Sequence, residues 1–427
     1  MTRRVVITGL GIVSSIGNTV DDFTASLRGG LSGIRHMPIL EELNFGCRVA
    51  GVPHGVDEIA ERYFDEDDLR AMNSSHRVGC IAAVDAWLDA GFERPRFDDD
   101  RVDWDCGAII GTGVGGLDTV GEKVVPMTDA GRVRRLGSTV VEQVMGSGVS
   151  ARIAGLFALG GQVTSNSSAC SSGTEAVIMG LERIRAGRAK RMLCGGVEGA
   201  SQYTWAGFDA MRVLSRRFND DPQAASRPMS ASAAGFVPGA GAGMLLLEDL
   251  ESAVERGARI HGEVLGGGIN CGGHRMGGSM TAPNPVSVRR CVQSALADAG
   301  IGGDEIDAIN GHLTATGADA GEVASWADAL GREPGGLPVI TSTKSMIGHC
   351  LGAAGAIESV ACIAMLEGGF VHPSINCEDV HPEIEPYRGS IPHARRDLTE
   401  LQTIIKAGFG FGDVNACVVY RKWTESK

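Results

Sequence analysis

The segment Asn166-Ser167-Ser168-Ala169-Cys170-Ser171-Ser172-Gly173-Thr174 sets one cysteine among small residues, just ahead of a stretch with helical apolar spacing at Ala176, Val177, Leu181 and Ile184. Glu182, Arg183 and Arg185 suit the wet face of that helix. Ser171 or Ser172 is expected to cap it, leaving Cys170 at its amino end. A helix N-terminus carries roughly half a positive charge, which favours thiolate over thiol. The chemistry this implies is that of a sulfur nucleophile. The ten other cysteines, Cys47, Cys80 and Cys350 among them, are read as small buried hydrophobes.

Two histidines are available as partners. Asp307-Ala308-Ile309-Asn310-Gly311-His312-Leu313-Thr314-Ala315-Thr316 and Ile340-Thr341-Ser342-Thr343-Lys344-Ser345-Met346-Ile347-Gly348-His349 each open on a strand-like approach and carry a histidine among small residues. A cysteine nucleophile and its bases meet in space and not in sequence, so the separation along the chain is no objection. His36, His54, His261 and His372 are read as ordinary surface or core residues. The chain has no HExxH, no paired CxxC and no His/Asp cluster at ligand spacing, so no metal site is expected. A fourth element, Ala407-Gly408-Phe409-Gly410-Phe411-Gly412-Asp413-Val414-Asn415-Ala416, alternates Gly and Phe. It is expected not to be an ordinary strand, with rings that wall a pocket or, more plainly, sit in the core of a hairpin turn.

These segments together resemble the elongating, type I/II β-ketoacyl-acyl carrier protein synthases of the thiolase superfamily. The resemblance runs from Val5-Val6-Ile7-Thr8-Gly9-Leu10-Gly11-Ile12-Val13-Ser14-Ser15-Ile16-Gly17, through Gly111-Thr112-Gly113-Val114-Gly115-Gly116 and Cys170, to Thr343 through Gly355 and the Gly-Phe segment. The set Cys-His-His resembles the elongating enzymes, whereas the initiating ones carry Cys-His-Asn. The resemblance implies a thiolase-like layered α/β/α/β/α fold from two duplicated halves, residues 1–263 with the nucleophile and 264–427 with both histidines and the Gly-Phe segment. The glycines at 9, 11 and 17 would then be a tight turn. A dinucleotide fingerprint is not supported there, because Ser14 stands where its third glycine belongs.

The resemblance also implies roles. Cys170 would accept the acyl chain, with the amides of Cys170 and Phe411 facing its tetrahedral oxygen. His312 and His349 would donate to the enolate left when a malonyl thioester loses CO2. Lys344 would tune the site through a pair with Glu358. Thr314 and Thr316 would bond the pantetheine arm, Phe409 and Phe411 would flank the acyl entrance, and Val114 and Met145 would lie along the acyl channel. Acyl carrier protein is the implied partner, substrates arrive on its phosphopantetheine, and no further cofactor is expected. A homodimer is implied, with a heterodimer of related ketosynthase subunits as the alternative. A non-catalytic partner subunit is the competing function, but such relatives lack the nucleophile that this chain keeps.

Three places depart from the family pattern. The run after His312 is Leu313-Thr314-Ala315-Thr316-Gly317 in place of Gly-Thr-Ser-Thr-Pro and reaches Asp319 one residue early. Gly412-Asp413-Val414-Asn415 replaces Gly-Gly-Thr-Asn. The basic carrier-docking surface is Glu66, Asp67 and Asp68 here, with only Arg70 kept, so Arg132, Arg134 and Arg135 are expected to supply the cations.

Composition agrees. A chain of 427 residues with 43% hydrophobic content and 62 glycines suits a large, tightly turned α/β core. Apolar β-rich runs (Cys106–Ile110, Arg191–Gly196, Gly243–Glu248) alternate with helical stretches (Val288–Ala299, Ile357–Leu366), the signature of parallel α/β layering. Asp98–Arg101 and Asp220–Pro228 are read as solvated connections. Met1 to Ile7 reads as a first strand and not a signal peptide, and no run approaches a membrane span. Eleven cysteines without a secretory signal suggest a reducing cytoplasm. A net charge of −13 argues against nucleic acid.

Overall fold

The computed structural model describes residues 3–96 and 98–424; Met1 and Thr2, at the start of the expected first strand, lie outside the described residues. Ten strands form one sheet: β1 (Val5–Val13), β2 (Cys106–Gly111), β3 (Val163–Thr164), β4 (Arg191–Glu198), β5 (Gly241–Asp249), β6 (Gly262–Cys271), β7 (Ala308–Asn310), β8 (Val339–Thr341), β9 (Thr403–Gly410) and β10 (Val414–Lys422). They lie in the order β8-β7-β9-β10-β6-β1-β5-β4-β2-β3. Each half repeats one pairing scheme. β3, β2 and β4 run parallel, followed by antiparallel β5 and β1. β8, β7 and β9 run parallel, followed by antiparallel β10 and β6. The halves join where Val5–Ile7 of β1 pairs with Gly262–Val264 of β6, so the division after Glu263 falls inside β6.

Six helices complete the layers: α1 (Ser74–Asp89), α2 (Gly148–Phe157), α3 (Ser172–Arg185), α4 (Pro285–Ala299), α5 (Asp319–Leu330) and α6 (Ala354–Gly368). α1 and α2 cover the outer face of the first half-sheet, and α4, backed by α5, covers that of the second. α3 and α6 pack against strands of both halves and form the middle layer of an α/β/α/β/α fold. Because helices cover both faces, β1 and β5 are buried at every residue and show no alternation of apolar and polar positions, Thr8, Glu248 and Asp249 being their buried polar residues.

Of the expected tight turn, Gly17 alone takes part, its carbonyl accepting from the Ser14 amide at 3.0 Å, while Gly9 and Gly11 do not. Gly9 and Gly11 sit inside β1, just past a register shift between Ile7 and Gly9, where an added Cβ would meet the Ala86 and Ala82 carbonyl oxygens at 2.0 and 1.8 Å. They let α1 lie directly on the strand backbone. The same device brings the two middle helices together. A Cβ on Gly173 would lie 2.6 Å from the Ala356 nitrogen, and one on Gly355 would lie 2.4 Å from the Thr174 nitrogen. α3 and α6 therefore touch backbone to backbone at their amino ends.

Two other expectations change. Leu351–Gly368 is long and apolar enough by composition to cross a membrane, but it is 89% buried within the fold, as befits the helix at its centre. Asp220–Pro228 is more than a solvated connection: Ala225 and Ser226 are buried, and the Ser226 hydroxyl donates to the Lys344 carbonyl at 2.6 Å.

Candidate active site

Cys170 lies in the single turn Ala169–Ser171 that leads into α3. Neither serine caps the helix in the expected way. The Ser171 hydroxyl instead donates to the carbonyls of Gly408 (2.9 Å) and Val414 (3.1 Å), tying the Cys170 turn to the hairpin of β9 and β10. Ser172 donates to the Ala169 carbonyl at 2.7 Å and accepts from the Ser168 amide at 2.8 Å. Phe411, at the hairpin tip, lines the same cavity as Cys170, and its backbone favours the Cys170 thiolate. Gly408 and Gly410, expected to break strand geometry, belong to β9 and pair in register with Ala416 and Val414. The aromatic walls and the hairpin are thus one feature.

The expected lowering of the Cys170 pKa by the helix end is not what dominates. Burial pushes the thiol up to about 11, against the opposing pull of the Lys344 charge and the Phe411 amide. Loss of water outweighs a partial charge at this depth.

His312 leaves β7 into a loop held by two buried carboxylates. Glu322 accepts from the His312 amide at 2.6 Å and the Leu313 amide at 2.8 Å. Asp319 accepts from the amides of Thr314 (2.9 Å), Ala315 (3.1 Å) and Thr316 (3.4 Å). This is how the shortened loop keeps Leu313 (φ 22°) and Ala315 (φ 62°) in backbone conformations that side chains disfavour. Burial raises Glu322 to about 7.

His349 follows the short helix Lys344–Ile347, and its amide donates to the Val237 carbonyl at 2.7 Å. Its Nε2 stands 3.1 Å from Cys170 Sγ, and the rings of His312 and His349 are 5.3 Å apart at 82°. Both histidines are held well below the ordinary value, by burial first and then by the Lys344 charge, so both are neutral. The Leu351 amide donates to His349 Nδ1 at 3.1 Å. The neutral ring therefore carries its proton on Nε2, facing the sulfur. The three side chains offer atoms within 4.8 Å of one another, a spacing that also suits a metal ion. A metal would need a lone pair at His349 Nε2, however, and the Leu351 bond places a proton there.

Lys344 pairs with Glu358 Oε1, and both are buried. Sequence reasoning missed the third member, Lys406, whose Nζ is 3.1 Å from Glu358 Oε2 and donates to Thr174 Oγ1 at 2.7 Å. The signal was available: a lysine between Ile405 and Ala407 in an apolar strand needs a buried partner. Also missed was Glu198, buried and raised to about 7, which accepts from the amides of Gly113 (2.8 Å) and Gly352 (2.9 Å) and so ties the Gly-rich loop to the turn after His349.

A cavity of about 190 Å³ opens onto these groups. Cys170, His312 and His349 line it with Thr314, Thr316, Phe409 and Phe411, as do Phe208, Phe236 and Thr281, which sequence reasoning had not named. The Thr314 and Thr316 hydroxyls are 3.0 Å apart. Val114 and Met145 are not in this cavity. Both are partly exposed, 42% and 37%, and Val114 lines a separate surface groove with Val163 and Thr164 of the sheet edge. Arg132, Arg134 and Arg135 project from an exposed turn at Val133–Arg135, while Arg70 pairs with Asp67 at 3.0 Å.

Residues 2–253 match the β-ketoacyl synthase N-terminal domain family, and residues 261–378 match the β-ketoacyl synthase C-terminal domain family. The chain is 36% identical to the chloroplastic 3-oxoacyl-[acyl-carrier-protein] synthase I of Arabidopsis thaliana over 424 residues, 98% of this chain and 86% of that protein. It is 35% identical to 3-oxoacyl-[acyl-carrier-protein] synthase 1 of Escherichia coli K12, covering 98% and 99% of the two chains. Among solved structures, the ishigamide ketosynthase/chain length factor superposes with a TM-score of 0.88 at 31% identity, over 99% of this chain and 100% of that one. A type II polyketide synthase acyl-carrier protein in complex with its ketosynthase, bound to the hexaketide, gives 0.87 at 29% identity over the same shares. The chain belongs to the β-ketoacyl synthase family.

Proposed function

We propose that this protein is a β-ketoacyl-acyl carrier protein synthase, an acyltransferase that joins an acyl group held on Cys170 to a malonyl unit with loss of CO2. The observation that carries the reading is one cavity that holds a thiol, two neutral imidazoles and the Phe411 hairpin tip. Cys170 attacks an acyl thioester; a C–S bond forms to Sγ, the bond to the pantetheine sulfur breaks, and the thiol proton ends on that departing sulfur. The tetrahedral oxygen faces the amides of Cys170 and Phe411, each worth about 3 kcal/mol to such a transition state. A malonyl thioester then loses CO2, and the electron pair moves into an enolate. Its oxygen accepts from His349 Nε2–H and from His312. Neutral rings suit this step, because a carboxylate has no proton to give and an imidazolium would quench the carbanion. The enolate carbon attacks the acyl carbonyl, and Cys170 sulfur leaves. Lys344, charged and paired with Glu358, sets the field at the histidines and attacks nothing.

The pantetheine arm of acyl carrier protein is read as lying along Thr314 and Thr316. Val114, Met145 and the free sheet edge at β3 are read as covered by a second subunit, since an exposed edge beside apolar side chains is a pairing site. A homodimer is the simplest assembly, and a related ketosynthase subunit is the alternative. Sedimentation of the pure protein at twice its 44.5 kDa mass supports the homodimer, and a monomer that gains mass only with a second subunit supports the other. Eleven free cysteines, ten of them buried, support a reducing cytoplasmic setting.

The test follows Cys170. Incubation with an acyl thioester adds the acyl mass to the Cys170 peptide, and Cys170→Ala abolishes both that adduct and condensation. Cys170→Gln, which imitates the acylated state, keeps releasing CO2 from malonyl thioester. Condensation by Cys170→Ala would overturn the reading.

A further inference from the structure

The hairpin tip that carries the Phe411 amide is fastened at its base by Ser171 and at its turn by Asp413. Asp413 adopts left-handed backbone (φ 61°) and is 1% exposed. One oxygen of its carboxylate accepts from the Asn284 amide (2.8 Å) and the Ser287 hydroxyl (3.4 Å). The other accepts from the His274 amide at 3.1 Å. Its own carbonyl accepts from the Gly272 amide at 2.9 Å, and next to it the Gly412 amide donates to the Met280 carbonyl at 2.8 Å. Segment 272–284 is thus wrapped around this carboxylate: a Cβ on Gly272 or Gly278 would come within 2.1 or 2.3 Å of Oδ2. The same segment carries Thr281 and Pro283 in the wall of the cavity.

We propose that Asp413 is a positioning residue that couples segment 272–284 at the cavity wall to the Phe411 amide at Cys170, so that this donor is in place when the segment is seated. The role in turnover rests on the ketosynthase reading; the coupling itself does not. Two cysteines report on it without any substrate. Cys271, the exposed one, abuts the segment, accepting from the Gly273 amide at 3.4 Å and lying 3.6 Å from the Gly412 carbonyl. Cys170 shares the cavity with Phe411, its turn is tied to the hairpin through Ser171, and the Phe411 backbone favours its thiolate.

Asp413→Gly removes the carboxylate and suits the left-handed backbone, so the turn itself is not strained by the change. Asp413→Asn keeps one acceptor oxygen. Full-length wild type and both variants are alkylated with iodoacetamide at one pH and mapped by peptide mass spectrometry. In Asp413→Gly, Cys271 labels several-fold faster and Cys170 several-fold slower, and Asp413→Asn lies between. With an acyl-pantetheine thioester, kcat for loading Cys170 falls about 10-fold while malonyl decarboxylation changes little, because the enolate relies on the histidines. Unchanged labelling at both cysteines overturns the proposal, as does faster labelling at Cys271 with Cys170 unmoved or accelerated. Equal losses in loading and decarboxylation also overturn it. A wild-type protein that never loads Cys170 defeats the ketosynthase reading, while the opposed labelling of the two cysteines still decides the coupling.

Discussion

Charged side chains in two regions of the molecule work under opposite physical rules. Lys344, Glu358 and Lys406 are sealed in the core, one carboxylate shared by two ammonium groups, leaving a net positive charge beside His312 and His349. Arg70, Arg132, Arg134 and Arg135 stand in water; Arg70 pairs with Asp67, and Arg132, Arg134 and Arg135 have no carboxylate partner among the described residues. In the core, where the effective dielectric is low, a fixed charge changes the protonation of its neighbours. On the surface the same charge acts over about 10 Å and fades with salt. A fixed charge in the core defines which neighbouring atoms hold protons, whereas a surface charge acts through a field that salt weakens.

The largest break comes from the groups the buried charges serve. His312→Ala and His349→Ala should each reduce malonyl decarboxylation by about 10²–10³-fold, since each leaves the enolate one donor short. The loss should be the same at low and high salt, measured as CO2 release, and acyl loading of Cys170 should survive better in at least one variant. Full decarboxylase activity in both would remove the histidines from the chemistry.

A smaller effect sharpens the buried side. Burial and the two lysines hold both histidines down. Lys406→Met removes one positive charge while Lys344 still pairs with Glu358, so protonation of the rings becomes easier and their pKa values rise. The acid limb of the pH–rate profile for decarboxylation should therefore move to higher pH. A move to lower pH, or none, would show that burial alone keeps the rings neutral.

The smallest effect belongs to the surface. Arg134→Glu with Arg135→Glu should slow turnover of substrates on acyl carrier protein several-fold, with little change for small pantetheine thioesters, and the difference should shrink as salt rises. Equal losses on both substrate types would make these arginines part of the fold, and no loss on either would place docking elsewhere.

Much of the site could be read from residue type. Cys170, His312 and His349 stand among small residues, and the structure brings them together. The carboxylates that hold the loops could not be read. Asp319, Glu322 and Glu198 bond backbone amides, and in sequence each looks like any acid at a helix start or strand end. Lys406 was legible and overlooked. The thiol's raised pKa was hidden because burial depends on the hairpin from the far end of the chain closing over Cys170. Likewise the backbone contacts of Gly9 and Gly11 depend on where α1 lies, which local sequence does not specify.

The touching amino ends of α3 and α6 have a further consequence. Cys170 is carried in by one structural repeat and His349 by the other, so the reactive centre is a seam, and neither repeat alone holds a complete set of tools. What sets the width of that seam is the thickness of bare peptide at Gly173 and Gly355. The 3.1 Å between sulfur and imidazole is thus gauged by two hydrogen atoms, and a single methyl at either glycine is a wedge driven between the two halves of the reaction.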